Sequence, residues 1–317
     1  MIKIHCKYTN LDHRYVLYQA IDIYHEINPQ KNINIYVGTR EIIRVIIRIL
    51  MLTSRNYSSE IFYFTGFGRL FTDYWLFGKI AFLILIRLCS MVKNATFVVE
   101  NVSDKTFIER VSNKKTYVVN GSGFFEKIDE NQRLYQVKKK SIKLSKIAYL
   151  SRFGKSKYSN KIVKLVQSLP EDVQLIIGGY DIHGKKYATI FRELSKNHQN
   201  IQFLGKIEER EHYYQILKDS DVFIYPSKRE GCPFGVLESL AVNTLPIVAK
   251  TPGCSDLADR IGTPSLQPSD FTNYAVLEKT YRRFFLKKET GEVKLPNIKL
   301  YSADNVRETF VSIFDSV

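Results

Sequence analysis

Across residues 147–249, short apolar runs rich in β-branched side chains alternate with segments whose apolar residues recur at helical spacing. The runs fall at 147–151, 173–177, 201–204, 222–225 and 245–249. The helical segments fall near 160–168, 187–196, 211–217 and 234–242. Strands that are apolar along their whole length are buried on both faces, and strand–helix alternation supplies the cover. The pattern therefore predicts a parallel, doubly wound α/β sheet.

The first half follows the same plan less regularly. Helices are expected at 15–27 and 42–52, and an apolar helix within 70–92. Strands are expected at 33–37, 61–65, 95–100 and 117–119. Glycines follow two of these strands, in Thr65-Gly66-Phe67-Gly68 and Asn120-Gly121-Ser122-Gly123. Residues 127–146 are polar and basic and read as a link between domains. The apolar residues of 302–317 recur at helical spacing, which predicts a terminal helix. The expected organisation is a Rossmann-like domain over 1–126, the linker 127–146, a second Rossmann-like domain over 147–300 and a C-terminal helix over 301–317. A length of 317 residues suits two such domains.

The net charge is +15 and unevenly spread. Residues 1–146 hold 23 Lys and Arg against 12 Asp and Glu, while residues 147–317 hold 24 against 20. A basic first half attracts anionic lipid or phosphorylated ligands. It carries no helix-turn-helix, zinc or RNA-binding aromatic signature, so nucleic acid is not an expected partner. Residues 1–10 are polar and mixed, so no signal peptide is expected there. Lys79 and Arg87 break the 70–92 stretch before it reaches spanning length. Its aromatic residues Phe71, Tyr74, Trp75 and Phe77 suit a helix lying in a membrane interface. Four dispersed cysteines fit a reducing compartment and present no metal-ligand spacing.

Two clusters carry candidate chemistry. Arg152 follows the first strand of the second domain, with Lys157 five residues on. A guanidinium fork and an ammonium together neutralise a diphosphate without metal, and stabilise charge developing on a leaving nucleotide. Further along stands Glu230-Gly231-Cys232-Pro233-Phe234-Gly235-Val236-Leu237-Glu238. Pro233 suits a helix opening, and the N–H groups over 234–237 would then face a phosphate or sugar oxygen. Glu230 and Glu238 can each accept hydrogen bonds from vicinal hydroxyls, one set on a sugar and one on a ribose.

These residues resemble the donor domain of retaining GT-B glycosyltransferases of family four, across residues 147–268. That family sets an Arg and a Lys five apart after the first strand, as Arg152 and Lys157 stand here, and two glutamates spaced as Glu230 and Glu238 are. Phe203-Leu204-Gly205 and Asp221-Val222-Phe223-Ile224-Tyr225-Pro226-Ser227 match its pattern. Thr251-Pro252-Gly253-Cys254 resembles a variant among enzymes that build O-antigen, capsule and lipid-linked oligosaccharides. Residues 36–125 resemble the first domain of that subgroup, through Thr65-Gly66-Phe67-Gly68, Phe97-Val98-Val99-Glu100-Asn101 and Asn120-Gly121-Ser122-Gly123-Phe124. Three departures stand out. Tyr158 replaces the usual Gly, Asp256 replaces a common Glu, and the N-terminal domain is short, with Asn10-Leu11-Asp12-His13-Arg14 in place of the customary glycine-rich loop.

The resemblance implies two Rossmann-like domains facing a cleft, and transfer of a hexose or N-acetylhexosamine from a nucleotide sugar, a UDP-sugar above all, by front-face attack with retention. Arg152 and Lys157 would hold the diphosphate, Glu238 the ribose and Glu230 the sugar. Gly178, Gly205, Lys206, Cys232, Pro233, Phe234, Gly235, Val236 and Leu237 would complete the donor site, with the base near Gly205-Lys206. His13, Thr65, Gly66, Gly68, Asn101 and Gly121 would line the acceptor side. No cofactor and no metal is expected. The expected acceptor is a polyprenyl-diphosphate-linked or surface glycan, met by a cytoplasmic bacterial enzyme at the inner face of the membrane. The alternative is a non-catalytic GT-B-like subunit that binds glycan or partners another transferase.

Overall fold

The computed structural model describes residues 2–5, 15–28, 30–52, 58–67, 77–121, 143–181, 184–290 and 298–317. His13, Gly68, Phe71, Tyr74, Trp75 and nearly all of 127–146 lie outside them. The chain forms two compact units. The first holds residues 1–133, 230–232 and 298–317, and the second holds 134–229 and 233–297.

The first unit carries a five-stranded parallel sheet in the order β1-β2-β3-β4-β5. Its strands are β1 (Ile2–His5), β2 (Ile33–Val37), β3 (Ser59–Phe64), β4 (Ala95–Val99) and β5 (Thr116–Val118). Its helices are α1 (Tyr15–Ile27), α2 (Thr39–Leu52), α3 (Phe77–Ser90) and α4 (Val102–Ser112), joined by the C-terminal helix Ala303–Asp315. Side chains alternate across the sheet with a period of two. Ile33, Ile35, Ile61, Tyr63 and Val98 pack with α1 and the C-terminal helix. Tyr36, Phe62, Phe64, Phe97 and Val99 pack with α2 and α3 on the other face. The Tyr24 hydroxyl donates to the Phe314 carbonyl at 3.1 Å, and Tyr63 meets Phe310 edge-on at 5.6 Å between centroids.

Strand β1 was not evident in the sequence. Ile2 and Ile4 alternate with Lys3 and His5, a pattern too short to stand out, yet the strand pairs in parallel from Ile2↔Ile33 to His5↔Tyr36.

The second unit holds a six-stranded parallel sheet in the order β11-β10-β9-β6-β7-β8. It runs β6 (Lys146–Leu150), α5 (Ser159–Leu165), β7 (Gln174–Gly178), α6 (Lys186–Asn197), β8 (Ile201–Gly205), α7 (Arg210–Asp219) and β9 (Val222–Tyr225). It continues with α8 (Phe234–Ala241), β10 (Leu245–Ala249), α9 (Cys254–Ile261), β11 (Ser265–Leu266) and α10 (Tyr274–Glu289). The chain starts mid-sheet at β6, builds outward through β7 and β8, then crosses back to β9. This reversal between β6 and β9 is a topological switch point, where open α/β sheets bind ligands beyond the carboxyl ends of their strands.

Candidate active site

In the second unit, β6 and β9 are neighbours, with Ile147↔Val222 and Ala148↔Phe223 in register. Beyond β6 the chain passes the exposed Arg152 and the buried Phe153. It then makes a single 3₁₀ turn over Lys155–Lys157. The Gly154 N–H donates to the Ser159 hydroxyl at 2.9 Å. The Ser159 hydroxyl also bonds to the Tyr149 hydroxyl at 2.9 Å, and the Tyr149 hydroxyl reaches the Lys157 carbonyl at 3.2 Å. Tyr158 closes the turn in the left-handed region, with φ 47° and ψ 35°. That conformation favours glycine, the residue usual here in the family the sequence resembles, and Tyr158 adopts it at a cost in strain.

This turn delivers Lys157 to β9. Its side chain is 7% exposed. Its Nζ donates to the Tyr225 hydroxyl at 2.7 Å and lies 4.5 Å from the centre of that ring. Arg152 and Lys157 thus differ in setting: one is solvent-exposed at the strand end, the other packed against an aromatic face. Neighbouring loops are tied to the same turn. The Lys228 N–H donates to the Ser156 carbonyl at 2.8 Å, and the Thr251 hydroxyl donates to the Ser227 carbonyl at 2.6 Å.

Glu238 sits in the second turn of α8, half-buried. The hydroxyl of Tyr213, on α7, donates to its carboxylate. Burial first, then the Glu238 charge, pushes the Tyr213 phenol well above its usual range. A Cβ on Gly235 would lie 3.3 Å from the Tyr213 hydroxyl and 3.5 Å from the Tyr225 ring. The bare backbone at Gly235 therefore gives room to both tyrosines, one on Lys157 and the other on Glu238. Pro233 is the N-cap of α8, with φ −76° and ψ 91°. The helix thus opens at Phe234, where it was expected, and Val236 N–H closes back on the Pro233 carbonyl at 3.0 Å.

Glu230 belongs by its contacts to the first unit. There β3 and β4 run in register to Phe64↔Val99, so Thr65-Gly66 and Glu100-Asn101 leave the sheet side by side. Asn101 caps α4, accepting the Asp104 N–H at 2.8 Å. Its Nδ2 donates to the carbonyls of Glu230 and Gly231, each at 3.1 Å. The Glu100 carboxylate accepts the Tyr63 hydroxyl at 3.0 Å and the Cys232 N–H. A Cβ on Gly231 would collide with the Glu100 carboxylate and lie 2.7 Å from the Thr65 carbonyl oxygen. A Cβ on Gly66, whose φ is +106°, would lie 3.2 Å from the Gly231 nitrogen. Thr65, Gly66 and Asn101 thus surround the backbone of residues 230–232.

The remaining expected residues are more dispersed. Gly178 ends β7, where an added Cβ would press on the side-chain tips of Ile207 and Leu150. Gly205 ends β8 at φ +68°, and its carbonyl accepts the Gly179 N–H at 2.6 Å. Lys206 is at the surface, paired with Glu208 at 2.7 Å, and its ammonium is held above the usual range by that carboxylate. Cys232 and Phe234 are half-buried, while Val236 and Leu237 face the core. Gly121 is a buried left-handed turn at φ +69°, its N–H on the Val119 carbonyl at 2.9 Å. Among the described residues no three His, Cys, Asp or Glu side chains form a metal-holding group. Tyr213, Tyr225 and Glu100 were not singled out in the sequence. The available signal was a polar side chain at the end of an apolar strand for Tyr225 and Glu100, and there was none for Tyr213.

Two α/β units, each built on a parallel sheet, match the GT-B fold, and solved structures share it. HepE from Anabaena in complex with UDP-glucose superposes with a TM-score of 0.65 at 10% identity, over 94% of this chain and 82% of that one. An α,α-trehalose-phosphate synthase (UDP-forming) from Burkholderia xenovorans does so with a TM-score of 0.60 at 11% identity, over 95% and 77%. Within the chain, residues 131–262 match the family model "Glycosyl transferases group 1". Glycogen synthase of Desulforudis audaxviator is 31% identical over 116 residues, 35% of this chain and 22% of that protein. Glycogen synthase of Clostridium acetobutylicum is 29% identical over 165 residues, 46% of this chain and 33% of that protein. The chain thus spans between a fifth and a third of the length of these two relatives.

Proposed function

We infer that the chain is a retaining glycosyltransferase that takes a hexose or N-acetylhexosamine from a nucleotide sugar. The observation that carries this reading is the family match over 131–262, which contains Arg152, Lys157, Glu230 and Glu238 and lies on a GT-B fold. In this reading Arg152 and Lys157 grip the diphosphate, Glu238 holds the ribose hydroxyls, and Glu230 holds the sugar. UDP is the favoured nucleotide, because the structural neighbours include one bound to UDP-glucose. The bond from the anomeric carbon to the phosphate oxygen breaks, and an acceptor hydroxyl attacks from the same face. Its proton passes to the leaving phosphate oxygen. The two cations stabilise the charge that gathers there, so no metal is required.

For the acceptor we propose a polyprenyl-diphosphate-linked glycan of the O-antigen or capsule type, met at a membrane surface. No helix among the described residues is long and apolar enough to cross a membrane. Helix α3, however, is apolar on both sides. Phe82, Leu85 and Ile86 enter the core, while Phe77, Ile80 and Ile84 face solvent, Phe77 with 84% exposure. Lys79 and Arg87 interrupt this face, and the helix carries no acidic residue, a pattern that suits anionic lipid. A soluble α-glucan acceptor is the second reading, favoured by the relatives named glycogen synthase.

The test is thermal stabilisation by UDP-, GDP- and dTDP-sugars, repeated with Glu238→Ala, followed by transfer to polyprenyl-linked or α-glucan acceptors. One nucleotide sugar is expected to stabilise the protein, and the variant to bind it at least tenfold more weakly, since a hydrogen bond to a charged group contributes about 1.5–3 kcal/mol. Stabilisation by none of them, or an unaffected variant, refutes the assignment.

A further inference from the structure

Glu100 is a carboxylate where the sequence builds only core. It follows Phe97, Val98 and Val99, all fully buried, and is itself 9% exposed. Burying a carboxylate is costly unless specific bonds hold it. Here the bonds are the Tyr63 hydroxyl at 3.0 Å and the Cys232 N–H. From the neighbouring position Asn101 grips the carbonyls of Glu230 and Gly231. The three-residue segment 230–232 is therefore held through its carbonyls by an amide and through an N–H by a carboxylate. Gly231 presses its bare Cα against that same carboxylate.

We propose that Glu100 is a positioning residue: ionised, it fixes segment 230–232 and with it Glu230; protonated, it releases the segment. The consequence for donor binding rests on the assignment of Glu230 as the contact to the donor sugar. The bond from the Cys232 N–H is charge-assisted only while Glu100 is ionised, and such bonds are roughly twice as strong as neutral ones. Three groups face Glu100 from the elements around it: the Tyr63 hydroxyl on β3 and the carboxylates of Asp104 on α4 and Glu230 in the segment itself. Burial, then the charges of Asp104 and Glu230, raise its carboxyl to about 7, while the Tyr63 and Cys232 bonds oppose the rise. The switch therefore falls near neutrality. Ligand hydroxyls donating to Glu230 would ease the repulsion, favour the ionised form and release a proton on binding.

The experiment uses the purified full chain from pH 5.5 to 8.5. Amide hydrogen exchange over residues 230–232, corrected for its intrinsic pH dependence, reads the segment without any ligand. Affinity for UDP-glucose, or for whichever nucleotide sugar stabilises the protein, reads the consequence. In the wild type, protection is expected to rise through a midpoint near 7. Donor affinity should rise about tenfold with it, the span between a neutral and a charge-assisted bond. Glu100→Gln should hold both at their low-pH level with no midpoint, and Glu100→Asp should restore a pH-dependent step. Tyr63→Phe removes a bond that favours the ionised form, so its midpoint should move upward. This variant carries the test if Glu100→Gln does not fold. A step absent from the wild type, or unchanged in Glu100→Gln or Tyr63→Phe, overturns the proposal. So does a protection step that donor affinity does not follow. If no nucleotide sugar binds, the donor assignment fails, and the exchange step still decides the role of Glu100.

Discussion

The two units fix their candidate residues by different means. Lys157 is set largely by neighbours in sequence: Gly154, Tyr158, Ser159 and Tyr149 all lie within eight positions of it, while Tyr225 meets its ammonium from another strand and Lys228 ties the adjoining Ser156. Glu230 is set by residues about 130 positions away, Glu100 and Asn101, and its own neighbours Gly231 and Cys232 serve as the handle. A local turn can survive loss of one tie because the backbone remembers the rest. A segment held at long range depends on each contact and on the absence of a side chain at Gly231.

The most severe test of that difference is Gly231→Ala. The added methyl must displace Glu100 or the Thr65 carbonyl, and a misplacement of about 1 Å near a reacting centre costs on the order of 100-fold in rate. The expected outcome is kcat/KM down by that factor, with the far-ultraviolet circular dichroism spectrum unchanged. A variant within threefold of wild type would show the close packing to be unimportant. On the local side, Lys157→Ala should lower kcat by about 100-fold through lost charge on the leaving diphosphate. Tyr225→Phe, which removes only the hydroxyl at 2.7 Å, should cost about tenfold at most. Equal losses in the two would mean that Tyr225 does more than orient the ammonium. The smallest effect belongs to Tyr158→Gly. It relieves a left-handed φ of 47° and should raise stability by about 1 kcal/mol in urea unfolding. A net destabilisation would mean that the Lys228 ammonium over the Tyr158 ring, 6.0 Å from its centre, contributes more than the strain.

The same distinction governs what was legible in the sequence. The strand at residues 222–225 follows from its unbroken apolar run, buried on both faces, and the helix at 15–27 from the spacing of its apolar residues. Arg152 and Lys157 are visible as a spaced pair, but the burial of Lys157 under Tyr225 is not, because Tyr225 reads as one more strand residue. Glu100 was legible only as the end of a strand. Its partners Tyr63 and Cys232 are brought to it from distant parts of the chain by tertiary structure, which no local pattern encodes. Helix α10 passed without assignment, since Lys279, Arg282, Arg283, Lys287 and Lys288 obscure the four residues it buries, Tyr274, Leu277, Tyr281 and Phe285. Thr65, Gly66 and Asn101 stood out as turns at strand ends, and the contacts they make with 230–232 are set by tertiary structure.

The C-terminal helix has a consequence for how the molecule is made. Tyr63, Val98 and α1 pack on Phe310, Ile313 and Phe314, residues translated only after the whole of the second unit. At about 5–20 residues per second, the first sheet waits roughly 10–40 s on the ribosome with that face uncovered. Meanwhile 143–290, contiguous save for the loop at 230–232, has every strand of its own sheet. Vectorial synthesis thus reverses the order of maturation: the later half can settle first, and one face of the earlier sheet stays uncovered until this helix emerges.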